Sequence, residues 1–162
     1  MQITTLRFGE LEIPEEKIIE MPKPVLGFEH LKKYCLIERE DSEPFLWFQS
    51  LEDPATAFIV VNPLFFFPDY RIEINPKEIE ELHVSDVRDV ETYVIVTVPP
   101  DPVKMTVNLQ GPLLINTETR LAKQLILVNS DYGVKHSLWR RRDRPGSGDT
   151  KKKRLPLIKA RR

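Results

Sequence analysis

The sequence predicts a mainly β fold, a small antiparallel β-barrel-like or sandwich domain with one short helix. Short runs of β-branched and aromatic residues recur along residues 1–139, and proline ends several of them. The chain has 14 prolines and 6 glycines, whereas average usage of about 5% and 7% would give roughly 8 and 11. Because proline cannot donate to a ladder and few residues follow a helical period, many short strands are favoured over long helices.

The strongest strand signal is residues 91–98, Glu-Thr-Tyr-Val-Ile-Val-Thr-Val, in which both faces are largely apolar. That pattern predicts a strand buried on both sides, ended by Pro99 and Pro100. Residues 57–61 form a second such run, and residues 71–74 alternate strictly, so one of their faces should meet water. Further strand candidates are residues 3–8, 11–13, 18–21, 34–38, 45–49, 105–109, 113–116 and 121–128.

A single segment carries a good helix start. Asn75 is suited to the N-cap, Pro76 to the first helical position, and Glu78 to the third-position partner of a capping box. We therefore predict a short helix at about 76–83.

The net charge of −1 conceals two oppositely charged parts. Residues 1–139 contain 13 basic and 23 acidic residues, a net charge of −10, whereas residues 140–162 contain 11 basic and 2 acidic residues, a net charge of +9. The second part has only three large apolar residues, too few to offset the chain entropy of ordering. We predict a β domain at 1–139 and a basic, disordered tail at 140–162. The tail is a solvated terminus, an arm that touches nucleic acid or a partner, or an extension foreign to the natural protein.

Composition restricts the location of the protein. The chain has no run of about 18 apolar residues, which excludes a membrane-spanning helix. Its first residues lack the basic and apolar regions of a secretory signal. The one cysteine, Cys35, excludes an internal disulfide and fits a reducing compartment, so we expect a cytoplasmic protein.

The sequence offers no recognisable active site. None of the six glycines begins a phosphate-binding loop pattern. His30, His83 and His136 lie about fifty residues apart, too far for a zinc-ligand motif. Cys35 falls in the middle of a predicted strand, where a buried, inert thiol is the usual state. We therefore expect a protein that is not an enzyme and that uses no metal and no cofactor.

The segment at residues 62–70, Asn-Pro-Leu-Phe-Phe-Phe-Pro-Asp-Tyr, is the most distinctive one. Strand alternation would place Phe65 and Phe67 on one side and Phe66 on the other. Two interpretations stay open: the rings form a core plug, or one or two of them lie at the rim of a partner-binding surface. We expect loops at the proline-terminated strand ends to contact partners. The predicted contact residues are Glu52, Asp53, Phe65, Asp69 and Tyr70.

Several motifs occur in a recognisable order. They are residues 47–54 (Trp-Phe-Gln-Ser-Leu-Glu-Asp-Pro), 62–70, 96–99 (Val-Thr-Val-Pro), 106–109 (Thr-Val-Asn-Leu) with Gly111-Pro112, 115–116 (Ile-Asn) and 122–124 (Ala-Lys-Gln). Each is weak alone, but together, in this order and at this spacing, they are specific. Over about residues 1–136 the chain resembles the FliW family of flagellar assembly factors.

The resemblance implies a small antiparallel β-barrel-like protein without enzymatic activity. It also implies two competing partners, flagellin and the RNA-binding translational repressor CsrA. A free factor of this kind binds the repressor and relieves repression, and accumulated flagellin captures the factor again. We expect a monomer with no membrane contact and no nucleic-acid binding by the body.

The tail departs from the resemblance, because family members usually stop soon after the segment that matches residues 125–136. The alternative function is therefore a nucleic-acid-binding module that acts through this tail, with binding that weakens as salt rises.

Overall fold

The computed structural model describes residues 1–128 and 130–139, together with the backbone of residues 158–160. The strands are β1 (Gln2–Thr5), β2 (Gly9–Glu12), β3 (Ile19–Glu20), β4 (Lys33–Glu38), β5 (Leu46–Ser50), β6 (Ala57–Val61), β7 (Ile72–Ile74), β8 (Val90–Thr97), β9 (Thr106–Val107), β10 (Leu113–Asn116), β11 (Leu121–Gln124), β12 (His136–Ser137) and β13 (Ile158–Ala160). Short 3₁₀ helices span Glu15–Lys17, Glu40–Ser42, Pro63–Phe65, Pro76–Leu82, Val87–Asp89 and Pro102–Lys104.

Seven strands close into a barrel. Their order is β10-β11-β3-β4-β5-β6-β8, and β8 pairs back onto β10 with Leu113 opposite Tyr93. All neighbours are antiparallel except β11 and β3, which pair in parallel through Leu121 and Glu20. Closure gives each of these seven strands a paired neighbour on both sides, and β3 covers only Lys33 and Tyr34 of β4. The mainly β prediction is confirmed, and the barrel is the form it takes.

Strand β8 explains why residues 91–98 are apolar on both faces. One of its edges pairs with β6, while its other edge pairs first with β10 and then with β9. Its inner face joins a barrel core that includes Tyr34 and Phe48, whose rings stack at 4.3 Å between centroids. Its outer face, with Val94 at 0% exposure, belongs to a second core outside the barrel wall. The predicted burial on both sides is confirmed.

Other elements cover the outside of the barrel. Strand β7 and the 3₁₀ helix Pro76–Leu82 contribute Ile72, Ile74 and Leu82 to the outer core, all at most 1% exposed. The hairpin of β1 and β2 packs a third, smaller cluster against β4, in which Cys35 is 1% exposed. These layers give each apolar strand face a partner, which is the requirement for a stable sheet.

The predicted helix is present, with a tighter geometry. It is a 3₁₀ helix over Pro76–Leu82, and the Oδ1 atom of Asn75 accepts a hydrogen bond of 3.0 Å from the backbone N–H of Lys77. His83 ends it in the left-handed conformation at φ 52°. The cap prediction for Asn75 is confirmed. The same signal, a capping Asn or Asp followed by proline, also begins the 3₁₀ helices at Asn62-Pro63 and Asp101-Pro102, which were not predicted.

Part of the tail is described. Its backbone at Ile158–Ala160 forms β13, which pairs in parallel with β7. The rest of the disorder prediction, for residues 140–157 and 161–162, lies outside the described residues. Every helix in the part of the chain that the structure describes is too short or too polar to cross a membrane.

Candidate protein-binding surface

The connection between β6 and β7 turns sharply at Asn62. The side-chain Oδ1 atom of Asn62 accepts a hydrogen bond of 2.9 Å from the N–H of Leu64, and the 3₁₀ helix Pro63–Phe65 follows. This turn separates the three phenylalanines: Phe65 is 46% exposed, Phe66 is half-buried, and Phe67 is 6% exposed. The expectation that Phe65 and Phe67 lie on the same side is wrong, because a 3₁₀ turn interrupts the two-residue period of a strand at this point.

Phe66 is the centre of a row of aromatic rings at the surface. Its ring stacks on Phe45 at 5.8 Å between centroids and meets Trp139 edge-on, also at 5.8 Å. Trp139 is 46% exposed, and its indole Nε1–H donates a hydrogen bond of 3.0 Å to the carbonyl oxygen of Pro102. We call Phe45, Phe66 and Trp139 the aromatic row. Its rings are held by one another, so they present a preformed apolar surface.

A groove of about 500 Å³ lies beside the aromatic row, and we call it the Phe65 groove. It is lined by Glu38, Arg39, Glu43, Pro44, Phe45, Leu46, Asn62, Phe65 and Tyr93. Its floor is aromatic and aliphatic, and the exposed carboxylates of Glu38 and Glu43 lie on its rim.

The one cation in the lining of the Phe65 groove is engaged elsewhere. The Arg39 guanidinium carbon lies 4.6 Å from the centre of the Phe8 ring, within range of a cation–π interaction. At the floor, the Tyr93 hydroxyl donates a hydrogen bond of 3.1 Å to Glu91, and burial followed by the charge of Glu91 raises the pKa of Tyr93. The groove is therefore suited to bind an apolar side chain flanked by a basic group.

Glu52 and Asp53 lie in the turn between β5 and β6. The Glu52 carboxylate ties this turn to the start of β4, and the Asp53 carboxylate bonds within the turn. Glu52 accepts hydrogen bonds from the backbone N–H groups of Lys32 at 2.6 Å and Lys33 at 3.0 Å. Partial burial acts to raise the pKa of Glu52, but these two hydrogen bonds and the lysine charges outweigh it and lower the pKa. The hydroxyl of Thr56 donates to Asp53 at 2.7 Å, which is the main cause that lowers the pKa of Asp53.

The predicted contact residues do not form one site. Glu52 and Asp53 precede β6, whereas Phe65 and Asp69 follow it, so the length of Ala57–Val61, roughly 13 Å at about 3.3 Å per residue, separates the two pairs. Asp69 is exposed in the same connection as Phe65.

Tyr70 is a core residue. It is 1% exposed, and its hydroxyl donates a hydrogen bond of 2.8 Å to the carbonyl oxygen of Leu109. Its ring packs on Tyr132 at 4.6 Å between centroids. The predicted partner contact at Tyr70 is wrong, because its side chain packs in the outer core and its hydroxyl bonds β7 to the segment after β9.

The sequence analysis missed Glu38, Glu43, Phe45 and Tyr93 as members of the groove. These residues are distant along the chain and meet only because β4, β5, β6 and β8 are neighbours in the barrel. The one sequence signal that could have pointed to Phe45 is a proline next to a phenylalanine, which occurs at Pro44-Phe45 and again at Phe67-Pro68.

The described residues contain no group of three or more His, Cys, Asp or Glu side chains placed to hold a metal ion. The Nε2 atom of His136 accepts a hydrogen bond of 2.7 Å from the N–H of Gly133. Burial raises the pKa of the Cys35 thiol to about 11, so this cysteine is a thiol rather than a reactive thiolate at neutral pH, as the sequence predicted.

Together, the closed barrel and its aromatic groove define a small β-barrel protein whose most distinctive surface suits the binding of another protein. Comparison with known proteins agrees with that class. The sequence model of the family described as FliW protein matches residues 2–138. The chain belongs to the FliW family.

Individual relatives support the assignment over most of the chain. The flagellar assembly factor FliW of Syntrophus aciditrophicus is 41% identical over 143 residues, which covers 88% of this chain and 90% of the relative. That of Alkaliphilus metalliredigens is 44% identical over 137 residues, covering 84% and 85%. A crystal structure of the flagellar assembly factor FliW superposes with a TM-score of 0.82 at 36% identity, covering 87% of this chain and 99% of that one.

Proposed function

We propose that this protein is a non-enzymatic flagellar assembly factor that binds flagellin and the translational repressor CsrA in turn, in the cytoplasm and as a monomer. Binding of the repressor relieves its action on flagellin synthesis, and binding of flagellin releases the repressor. Synthesis of flagellin is thereby coupled to its export. Membership of the FliW family is the observation that carries the proposal.

The charge of the body supports a basic partner. Residues 1–139 carry a net charge of −10, and an acidic surface accelerates its encounter with a basic, RNA-binding protein. The effect depends on ionic strength, because exposed charges are screened over about 8 Å at physiological salt.

The Phe65 groove supports a defined contact surface. An exposed aromatic ring beside a held aromatic row resembles the buried anchors that carry most of the energy of protein interfaces. Phe65 and Asp69 are therefore the predicted contact residues that we propose for this surface. The Glu52 carboxylate bonds to the start of β4 and the Asp53 carboxylate bonds within its own turn, and a partner contact there stays a separate prediction.

Binding to each purified partner tests the proposal. Phe65→Ala should raise the Kd for at least one partner by about tenfold or more, the loss expected of an anchor. Leu26→Ala is the matched control, since Leu26 is 77% exposed and does not line the groove. Thermal unfolding should be unchanged in both variants. Unchanged affinity of Phe65→Ala for both partners would remove the groove from the interface.

The basic tail favours one alternative function. Its net charge of +9 suits nucleic acid. An RNA mobility-shift assay on the full chain across a salt series separates the two functions. Binding that is strong at low salt and falls steeply as salt rises would favour the nucleic-acid-binding module, whereas the assembly-factor proposal predicts no stable shift.

A further inference from the structure

Strand β7 is placed as an exposed edge outside the barrel. Ile72 and Ile74 are 0% and 1% exposed and anchor the strand in the outer core, while Glu73 between them is exposed. Strand β7 is not a member of the barrel sheet, and β13 is its ladder partner among the described residues. An edge strand presents backbone N–H and C=O groups that pair readily with another extended chain.

The strand that occupies this edge belongs to the tail. Residues Ile158–Ala160 run parallel to β7, with Ile158 opposite Ile72, Lys159 opposite Glu73 and Ala160 opposite Ile74. The family sequence model ends at residue 138, so this chain covers the edge with a segment beyond the part it shares with the family. In this register the backbone position of Lys159 is opposite that of Glu73.

The surface beside the edge has matching chemistry. A groove of about 410 Å³ is lined by Arg71, Glu73, Glu78, Ile126, Leu127, Val128, Ser130 and Tyr132. Ile126 and Val128 are 56% and 76% exposed, so the groove offers aliphatic surface next to the carboxylates of Glu73 and Glu78. A ligand that uses all of these features is an extended segment that carries both apolar and basic residues. Leu157-Ile158-Lys159-Ala160-Arg161 has that composition.

We propose that the β7 edge is a strand-addition site for an extended, basic and apolar segment of a protein partner, and that the tail of this chain is its built-in competitor. A ladder of three residues is short, so β13 is held by its tether more than by its own contacts. Tethering raises a local concentration to about the millimolar range when the linker spans the gap. A partner segment must displace β13 to bind. The β7 edge lies outside the Phe65 groove, and its role as a strand-addition site is independent of the function proposed above.

Hydrogen exchange in the full chain tests the occupancy of the edge. Only alternate residues of β13 can donate their N–H groups to β7. Proline at both 158 and 159 therefore removes a donor from the ladder whichever of the two residues donates. We expect Ile158→Pro with Lys159→Pro to speed exchange of the β7 amides by about tenfold, which is the ratio for a tether of about 1 mM if the untethered ladder is taken to bind at about 0.1 mM. Gly146→Pro with Ser147→Pro is the control and should leave β7 protected. Unchanged protection in the first variant would overturn the pairing.

A charge exchange tests the register. Glu73→Lys should reduce protection of β7, and the addition of Lys159→Glu in the same chain should restore it, because the register pairs these two positions and the exchange returns one charge of each sign to them. Loss without restoration would contradict the register, and no loss in Glu73→Lys would show that charge does not select the occupant.

Binding in trans tests the competition. A fluorescent peptide with the sequence of residues 154–162 is titrated into the full chain and into the Ile158→Pro, Lys159→Pro variant. The peptide should bind the variant about tenfold more tightly, since the built-in competitor is lost. Equal affinities would overturn the competitor role, and no binding to the variant would overturn the site. Either result leaves the assembly-factor proposal untouched.

Discussion

Replacement of Tyr70 by phenylalanine separates a core role from a partner contact at this position. The substitution keeps the buried ring and removes only the hydroxyl that donates to Leu109 at 2.8 Å. Leu109 is itself 1% exposed, so its carbonyl oxygen loses a partner that water does not readily replace.

The magnitude follows from the desolvation of that carbonyl. A buried acceptor left without a donor costs about 1–3 kcal/mol. In a domain of about 150 residues each kcal/mol lowers Tm by about 2–4 °C, so a loss of about 2 kcal/mol corresponds to about 4–8 °C. Burial, and to a lesser degree the charge of Tyr132, raises the pKa of Tyr70. The hydroxyl therefore stays protonated, and the loss should be the same from pH 6 to pH 9.

Urea unfolding followed by circular dichroism measures the effect, and Tyr132→Phe is the matched control. The Tyr132 hydroxyl accepts a hydrogen bond of 3.1 Å from the N–H of Arg71, and Tyr132 is half-buried. Water can therefore replace the missing hydroxyl in Tyr132→Phe, and the loss of stability should be smaller than in Tyr70→Phe. Partner affinity of Tyr70→Phe should equal that of the unaltered protein. An unchanged unfolding midpoint together with weakened partner binding would refute the core assignment and restore Tyr70 to the contact surface.

Three further perturbations have definite expected results. Val94→Asp places a carboxylate at a position of 0% exposure and should lower the free energy of unfolding by several kcal/mol. The variant should therefore be recovered as insoluble or unfolded protein. A soluble variant with unchanged Tm would contradict the placement of β8. Glu52→Gln should lower the free energy of unfolding by about 1 kcal/mol at pH 7, a value that allows for solvent screening. Because the folded pKa of Glu52 lies below its ordinary 4.5, its contribution is present above about pH 4.5 and is lost as pH falls through the folded value, so urea midpoints of the two proteins should converge in acid. Cys35, with its pKa raised to about 11 and 1% exposure, should react with a thiol reagent at pH 8 only after unfolding, and rapid labelling of the native protein would show that the hairpin of β1 and β2 opens.

The strands were largely predictable from sequence because their patterns report burial directly. The run at residues 91–98 has no polar face, and such a run is stable only where both faces are covered; the barrel core and the outer core cover β8 in this way. Asn75 with Pro76 was equally informative, because the cap and the first helical position are local requirements that the surrounding fold does not alter.

The surface was not predictable, for a physical reason. A period of two is correct only in a strand, and the cap at Asn62 starts a 3₁₀ helix that ends at Phe65, the first of the three phenylalanines. Whether Tyr70 faces the core depends on Leu109, which is 39 residues away. The Phe65 groove depends on which strands become neighbours when the barrel closes, and that choice is a property of the whole sheet rather than of any one segment.

A displacement measurement tests the central claim, that two protein partners bind this factor in turn. Labelled CsrA is first bound to the full chain, its anisotropy is recorded, and purified flagellin is added in steps. The account predicts that the anisotropy falls to the value of free CsrA as flagellin accumulates, and that the factor elutes with flagellin alone on size-exclusion chromatography. A stable assembly that contains all three proteins, or no binding of either partner to the full chain, would contradict it.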